Sequence, residues 1–223
     1  GTGDVNLNQS EFFKRAADGD ASAVSALLEG GIDPSVRNEL NETALIVAGK
    51  YGRTYVAEVM LQHKADVDAT DGSGKTALMH ALNTDNNYLI FSLIDAGAEV
   101  NMRDNEGRTP LIYAVTNNKL SVITALRKSG ALVNGDDFDG MTALHYAVKQ
   151  SNMPIVRVLL EDGEETADPN VANQFGNTPI FTAAANGSTD IVKLLISRGA
   201  KINVTNQNGV MPMAVATKAV KEI

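Results

Sequence analysis

The side chains of this 223-residue chain that could do chemistry are few, and their spacing scatters them. Gly72-Ser73-Gly74-Lys75-Thr76 has the wording that ends a phosphate-binding loop, where backbone N–H groups and a lysine cradle phosphates. The full motif needs a glycine five residues before Gly74, where Ala69 stands, and a buried strand ahead of it. His63, His80 and His145 could hold a metal or relay a proton only if two of them converged, and each falls at a different place on its helix. With no cysteine there is no disulfide and no thiolate metal site. Carboxylates abound, but no spacing puts two into the closed pocket that acid–base catalysis requires. No catalytic residue, no metal ligand set and no cofactor site is therefore expected. Four Asn-x-Ser/Thr triplets, at Asn8, Asn41, Asn186 and Asn203, are close to background in so Asn-rich a chain.

The elements that would have to position these residues follow a strict period. Thr43, Thr76, Thr109, Thr142 and Thr178 are separated by 33, 33, 33 and 36 residues, and each suits a helix N-cap. Two residues after each comes Leu45, Leu78, Leu111, Leu144 or Ile180, and five after it Ala48, Ala81, Ala114, Ala147 or Ala183. Seventeen after it comes Met60, Leu93, Leu126, Leu159 or Leu195. The stretch Asn173 to Asn203 shows the unit most clearly. Gly176 turns the chain, Thr178 caps a helix that begins at Pro179, and Asn186-Gly187 stops it. Asp190 opens a second helix with Ile191, Val192, Leu194, Leu195 and Ile196, and Gly199 ends it in the left-handed region. Such a helix pair cannot bury its own apolar face and needs copies on either side.

The period, with Thr109-Pro110-Leu111, Thr142-Ala143-Leu144-His145-Tyr146-Ala147 and Thr178-Pro179-Ile180, resembles the ankyrin repeat family over nearly the whole chain. The resemblance implies an all-α solenoid of stacked helix-turn-helix units with β-hairpin-like turn tips, one elongated domain over residues 1–223. The boundaries read as an N-terminal cap repeat 10–37, repeats 38–70, 71–103, 104–136, 137–172 and 173–205, and a C-terminal half repeat 206–223. Residues 1–9 are expected to fray, with Ser10 capping a first helix that ends at Asp18. After Asn206 the pattern resumes with Met211 in the threonine slot, and one last helix carrying Lys218, Lys221 and Glu222 is expected to close the stack.

Four departures stand out. Asn41 replaces the turn glycine, and Lys64 the glycine that closes a second helix, a costly exchange that predicts a less regular segment. Arg127 takes a slot that is otherwise Leu or Ile, where its stem can cover apolar surface while its head reaches water. The loop Glu161 to Asp168 is three residues longer than its counterparts and holds five carboxylates in eight positions, as a solvated loop or as an acidic feature for a basic partner.

By the resemblance, turn tips and the exposed side of the first helices form a concave binding surface. The corresponding slots hold Leu40, Tyr51, Arg108, Tyr113, Phe138, Asp139, Met141, Tyr146, Lys149 and Phe175. Tips favour polar residues, so Phe138, Met141 and Phe175 read either as a hot spot or as packing that stiffens neighbouring tips. The net charge of -8 argues against nucleic acid and anionic membrane, and no apolar run approaches the roughly 20 residues that span a bilayer. The expected function is a non-enzymatic protein–protein interaction module for one or more proteins, monomeric without its partner. Likeness to compact stand-alone bacterial members implies an inhibitor or immunity protein of a cell-wall hydrolase, with a cytoplasmic scaffold or adaptor as the alternative and an enzyme or small-molecule receptor third. The absence of cysteine favours a periplasmic location after removal of a leader over a cytoplasmic one, although a Cys-poor scaffold gives the same count.

Overall fold

The computed structural model describes residues 2–161, 163–216 and 218–223, and no side chain of residues 2–6, 218 or 219. Chain contacts divide it into two units, residues 1–105 and 106–223. The first holds α1 (Thr2–Asp18), α2 (Ala21–Glu29), α3 (Ala44–Tyr51), α4 (Thr54–Gln62), α5 (Ala77–Ala81) and α6 (Asn87–Asp95). The second holds α7 (Pro110–Thr116), α8 (Leu120–Lys128), α9 (Ala143–Lys149), α10 (Met153–Glu161), α11 (Pro179–Ala185) and α12 (Thr189–Ser197). A 3-10 turn, Pro212–Val215, and α13 (Lys218–Lys221) follow.

The threonine period sets where helices begin. Thr43, Thr76, Thr109 and Thr142 take extended backbone, and each Oγ1 accepts the N–H three residues on at 3.2–3.4 Å. Within each unit first helices pack on first helices, and in the first unit second helices pack on second helices. In the first unit α3 packs against α1 and α5, and α4 against α2 and α6; in the second unit α9 packs against α7 and α11. Met60, Leu93, Leu126, Leu159 and Leu195 are all fully buried. The small residues Ala48, Ala81, Ala114, Ala147 and Ala183 are buried too and allow the close approach. Ala147→Leu should therefore cost about 1–3 kcal/mol, because a well-packed interface has no room for three more carbons. An unchanged urea midpoint would show that α9 is not the helix wedged between α7 and α11.

The tips have their own mechanism. At the start of several repeats an Asp or Asn side-chain oxygen accepts two backbone N–H groups. Asp71 takes those of Ser73 and Lys75, Asp137 those of Asp139 and Met141, and Asn173 those of Phe175 and Asn177. Across the turn Asp71, Asp137 and Asn173 donate their own N–H to the carbonyls of Lys75, Met141 and Asn177. These are hairpin-like turns, with the bridge Asp136–Thr142 as the isolated ladder contact.

Several expectations change. Ser10 does not begin the first helix; α1 starts at Thr2, since residues 4–9 contain neither proline nor glycine to break it. Thr178 occupies its N-cap position but makes no cap bond, and its hydroxyl is buried without a partner. The Phe181 N–H instead reaches the Thr178 carbonyl at 3.1 Å, tightening the first turn. The C-terminal half repeat is not one helix but the 3-10 turn and α13. Lys64 does adopt the left-handed region, at φ 60, yet the segment stays regular. Lys64 and Ala65 bond the Leu61 and Met60 carbonyls as Gly97 and Ala98 bond those of Ile94 and Leu93.

Candidate functional site

The sequence-derived binding residues fall in both units. In the first unit Leu40 is exposed on its tip, and Tyr51 is exposed at the end of α3 with Lys50 Nζ 5.5 Å from its ring centroid. The others lie in the second unit, Tyr113 on α7, Tyr146 and Lys149 on α9, and the rest on a run of tips joined backbone to backbone. The Phe138 N–H donates to the Glu106 carbonyl at 3.0 Å, that of Gln174 to Asp139 at 2.8 Å, and that of Gln207 to Phe175 at 3.0 Å. Gln174 Nε2 also donates to Asp139 Oδ1 at 3.3 Å, and Asn173 Nδ2 approaches Met141 Sδ at 3.5 Å. Phe138 and Phe175 thus stand on consecutive, hydrogen-bonded tips, 67% and 59% exposed.

Phe138 is not free on both faces. A Cβ on Gly107, which sits at φ +78, would come within 2.8 Å of the Phe138 ring, so the ring lies against the preceding tip. One face of the ring packs on the preceding tip while most of the ring meets solvent. Met141 is half-buried and Lys149 exposed.

Below the tips runs a polar network. Tyr146 Oη donates a short hydrogen bond to Asp137 Oδ2, and Arg108 bonds the Tyr113 and Tyr146 hydroxyls while its Nη2 lies 3.1 Å from Glu106 Oε2. Burial, reinforced by Asp137, pushes the Tyr146 phenol up to about 12, so it remains a donor. Tyr113 is a correction: only 5% exposed, it supports Arg108 instead of presenting a surface. Its slot matched exposed ones, yet its ring is buried.

The chemistry-like residues all have structural partners. Gly72–Thr76 forms a tip that runs into α5, and the Thr76 hydroxyl caps that helix. His80 Nε2 lies 2.7 Å from Asp71 Oδ2. Burial raises the Asp71 carboxyl, but hydrogen bonds from His80, Lys75 and Ser73 outweigh it and hold the group below the usual carboxylate range. His63 Nδ1 contacts the Val59 carbonyl at 2.9 Å. His145 Nδ1 contacts the Thr142 N–H and hydroxyl, and its Nε2 reaches the Asn177 carbonyl at 3.1 Å, tying one repeat to the next tip. Burial lowers its pKa. Among the described residues no three His, Cys, Asp or Glu side chains group as metal ligands, and no helix is long and apolar enough to cross a membrane.

Arg127 does more than cover apolar surface. Its Nη1 and Nη2 donate to the carbonyls of Val158 and Glu165, both at 2.6 Å. The long loop, of which Asp162 lies outside the described residues, is closed further by Ala167 N–H on Leu159 and by Asp168 N–H on Asn134 Oδ1. Glu161 is engaged by Arg157 and Arg198, leaving Glu164, Glu165 and Asp168 facing solvent. The unusual arginine and the unusual insertion are therefore one device, which the sequence shows only as two separate anomalies. Arg127→Met keeps the stem but strips two charge-assisted donors, so a loss of about 1–3 kcal/mol is expected. Glutamate-specific proteolysis at Glu164 and Glu165 should accelerate; a parental cleavage rate would mean the loop closes without Arg127.

Stacked helix pairs with hairpin-like tips between them define a repeat protein. The sequence profile for ankyrin repeats in three copies matches residues 13–104 and 83–167, and that for ankyrin repeats in many copies matches residues 144–196. The chain belongs to the ankyrin repeat family, whose repeats are protein–protein interaction modules. It is similar to an ankyrin repeat-containing protein of Schizosaccharomyces pombe, 38% identical over 60 residues, or 27% of this chain and 29% of that protein. It is also similar to ankyrin repeat and SOCS box protein 16 of Mus musculus, 42% identical over 64 residues, or 29% of this chain and 14% of that protein. The matches thus span less than a third of either relative's length.

Proposed function

We propose that the chain binds a partner protein through the tip run of its second unit, with Phe138 and Phe175 as apolar anchors. Asp139, Lys149 and the Arg108–Glu106 pair form the polar rim. The observation that carries this reading is the pair of largely exposed phenylalanines on consecutive tips locked to each other by backbone hydrogen bonds. A rigid, pre-ordered aromatic loses little entropy on binding, and a central aromatic with a charged rim is the usual anatomy of a hot spot. On the family resemblance alone, we extend the proposal to an inhibitor or immunity role toward a cell-wall hydrolase, which a hydrolase assay with and without the chain tests.

A partner captured from the source organism and identified by mass spectrometry supplies the material for a direct test. Hydrogen exchange of the complex should slow at residues 138–141 and 173–177. Protection confined to the loops at 163–168 and 199–203 would place the interface elsewhere and end this reading.

A further inference from the structure

The charge of the chain is unevenly placed. Of the 27 carboxylates 16 fall in residues 1–105, against 8 of the 19 Lys and Arg, so that unit carries the whole net charge of -8. Three of the five tyrosines also lie there, at Tyr51, Tyr55 and Tyr88, and they are 52%, 72% and 65% exposed. Core packing does not require them, since their rings face water.

Hydrogen bonds between consecutive helix–helix turns bring these residues onto one edge. Arg53 Nε donates to the Ala17 carbonyl at 2.8 Å, joining the turn after α1 to the turn after α3. Asn86 Nδ2 donates to the Gly52 carbonyl at 2.9 Å and to Thr54 Oγ1 at 2.7 Å, joining the turn after α3 to that after α5. Tyr51 ends α3, while Tyr55 and Tyr88 are each the second residue of α4 and α6, which pack together. The same edge bears Asp18 and Asp85, both exposed, with Asp20 and Glu58 half-buried beside them. Arg15 pairs with Glu11 and Asp20, and Arg53 bonds Ala17, so Asp18, Asp85 and Glu58 are the carboxylates of the edge that remain for a partner. Lys50 Nζ, ion-paired with Glu42 at 3.2 Å, lies 5.5 Å from the Tyr51 ring centroid, a cation beside one of the three exposed rings.

We infer that the helix–helix turn edge of the first unit is a second docking surface, for an arginine-rich protein segment whose guanidinium groups stack on Tyr55 and Tyr88 between the carboxylates. Guanidinium is the cation that best combines stacking on a ring with bonding to a carboxylate. This inference does not rest on the tip surface of the second unit.

The probe is a fluorescent nona-arginine peptide titrated against the whole chain. It should bind, and Tyr55→Ala with Tyr88→Ala should weaken binding about tenfold, with the helical circular dichroism unchanged. Tyr55→Phe with Tyr88→Phe should bind as the parent does, because the ring and not the hydroxyl receives the cation. Phe138→Ala should leave the titration unchanged. Hydrogen exchange in the complex should slow at residues 51–55 and 85–89. If the double alanine variant binds as tightly as the parent, net charge alone holds the peptide and the proposal fails. It fails equally if sedimentation reveals a dimer of this chain that the alanine substitutions dissolve, which would assign the edge to a second copy.

Discussion

Gly49→Ala should lower the stability of the first unit by about 2–3 kcal/mol, although alanine is favoured over glycine in a helix interior by about 1 kcal/mol. Gly49 lies in the last turn of α3, buried, with ordinary helical backbone. A Cβ built there meets the Ala77 carbonyl oxygen at 2.5 Å and the Ala77 carbonyl carbon and Cα at 3.1 Å. These are backbone atoms at the start of α5, which cannot rotate away as a side-chain tip can. One helix must retreat, and α5 cannot do so freely because it is also buried against α6. Gly72→Ala is the matched control, since nothing lies within 4 Å of its added Cβ and its φ is not positive. The urea midpoint should fall for Gly49→Ala and stay for Gly72→Ala, with faster hydrogen exchange at residues 77–82. A midpoint at or above that of the parent would mean that α3 and α5 separate at little cost, contrary to the packing described.

The contrast between Gly49 and Gly107 shows what a repeat pattern conveys. Gly107 recurs as Gly74, Gly140, Gly176 and Gly209, all at positive φ, so its role was legible from its period. Gly49 has Leu82, Val115, Val148 and Ala184 as counterparts, and only the distance to Ala77 explains it. Helix pairs, tips and core slots were legible because one physical requirement, burying an apolar face on a neighbour, is written five times over. Features present once were not. Thr178 keeps the cap residue but loses the cap bond, because Phe181 N–H turns to the carbonyl, a choice of backbone geometry that residue type does not reveal. Tyr113 and Tyr146 share a slot, yet one is buried and the other half-exposed, a difference the period does not carry. Arg127 and the long loop stand 38 residues apart at their contact with Glu165, beyond what adjacency shows.

The second large effect concerns the tips. Phe138→Ala and Phe175→Ala should each weaken the partner complex by about 2 kcal/mol or more, roughly 30-fold, as truncation of a central aromatic does. Most of the loss should appear as faster dissociation, because short-range apolar contacts form after encounter. Phe138 lies against Gly107, so Phe138→Ala also removes packing between tips and should lower stability slightly. Neither touches the ladder, since the Phe138–Glu106 and Gln207–Phe175 bonds use backbone atoms only. Replacing the solvent-facing Glu164 and Glu165 with glutamine should act in the opposite manner, changing the association rate and its salt dependence while leaving dissociation alone. Surface plasmon resonance at two salt concentrations separates these cases. If both phenylalanine variants dissociate at the parental rate, the aromatic pair serves the tips alone, and the binding surface must be sought on the long loop or on the first unit.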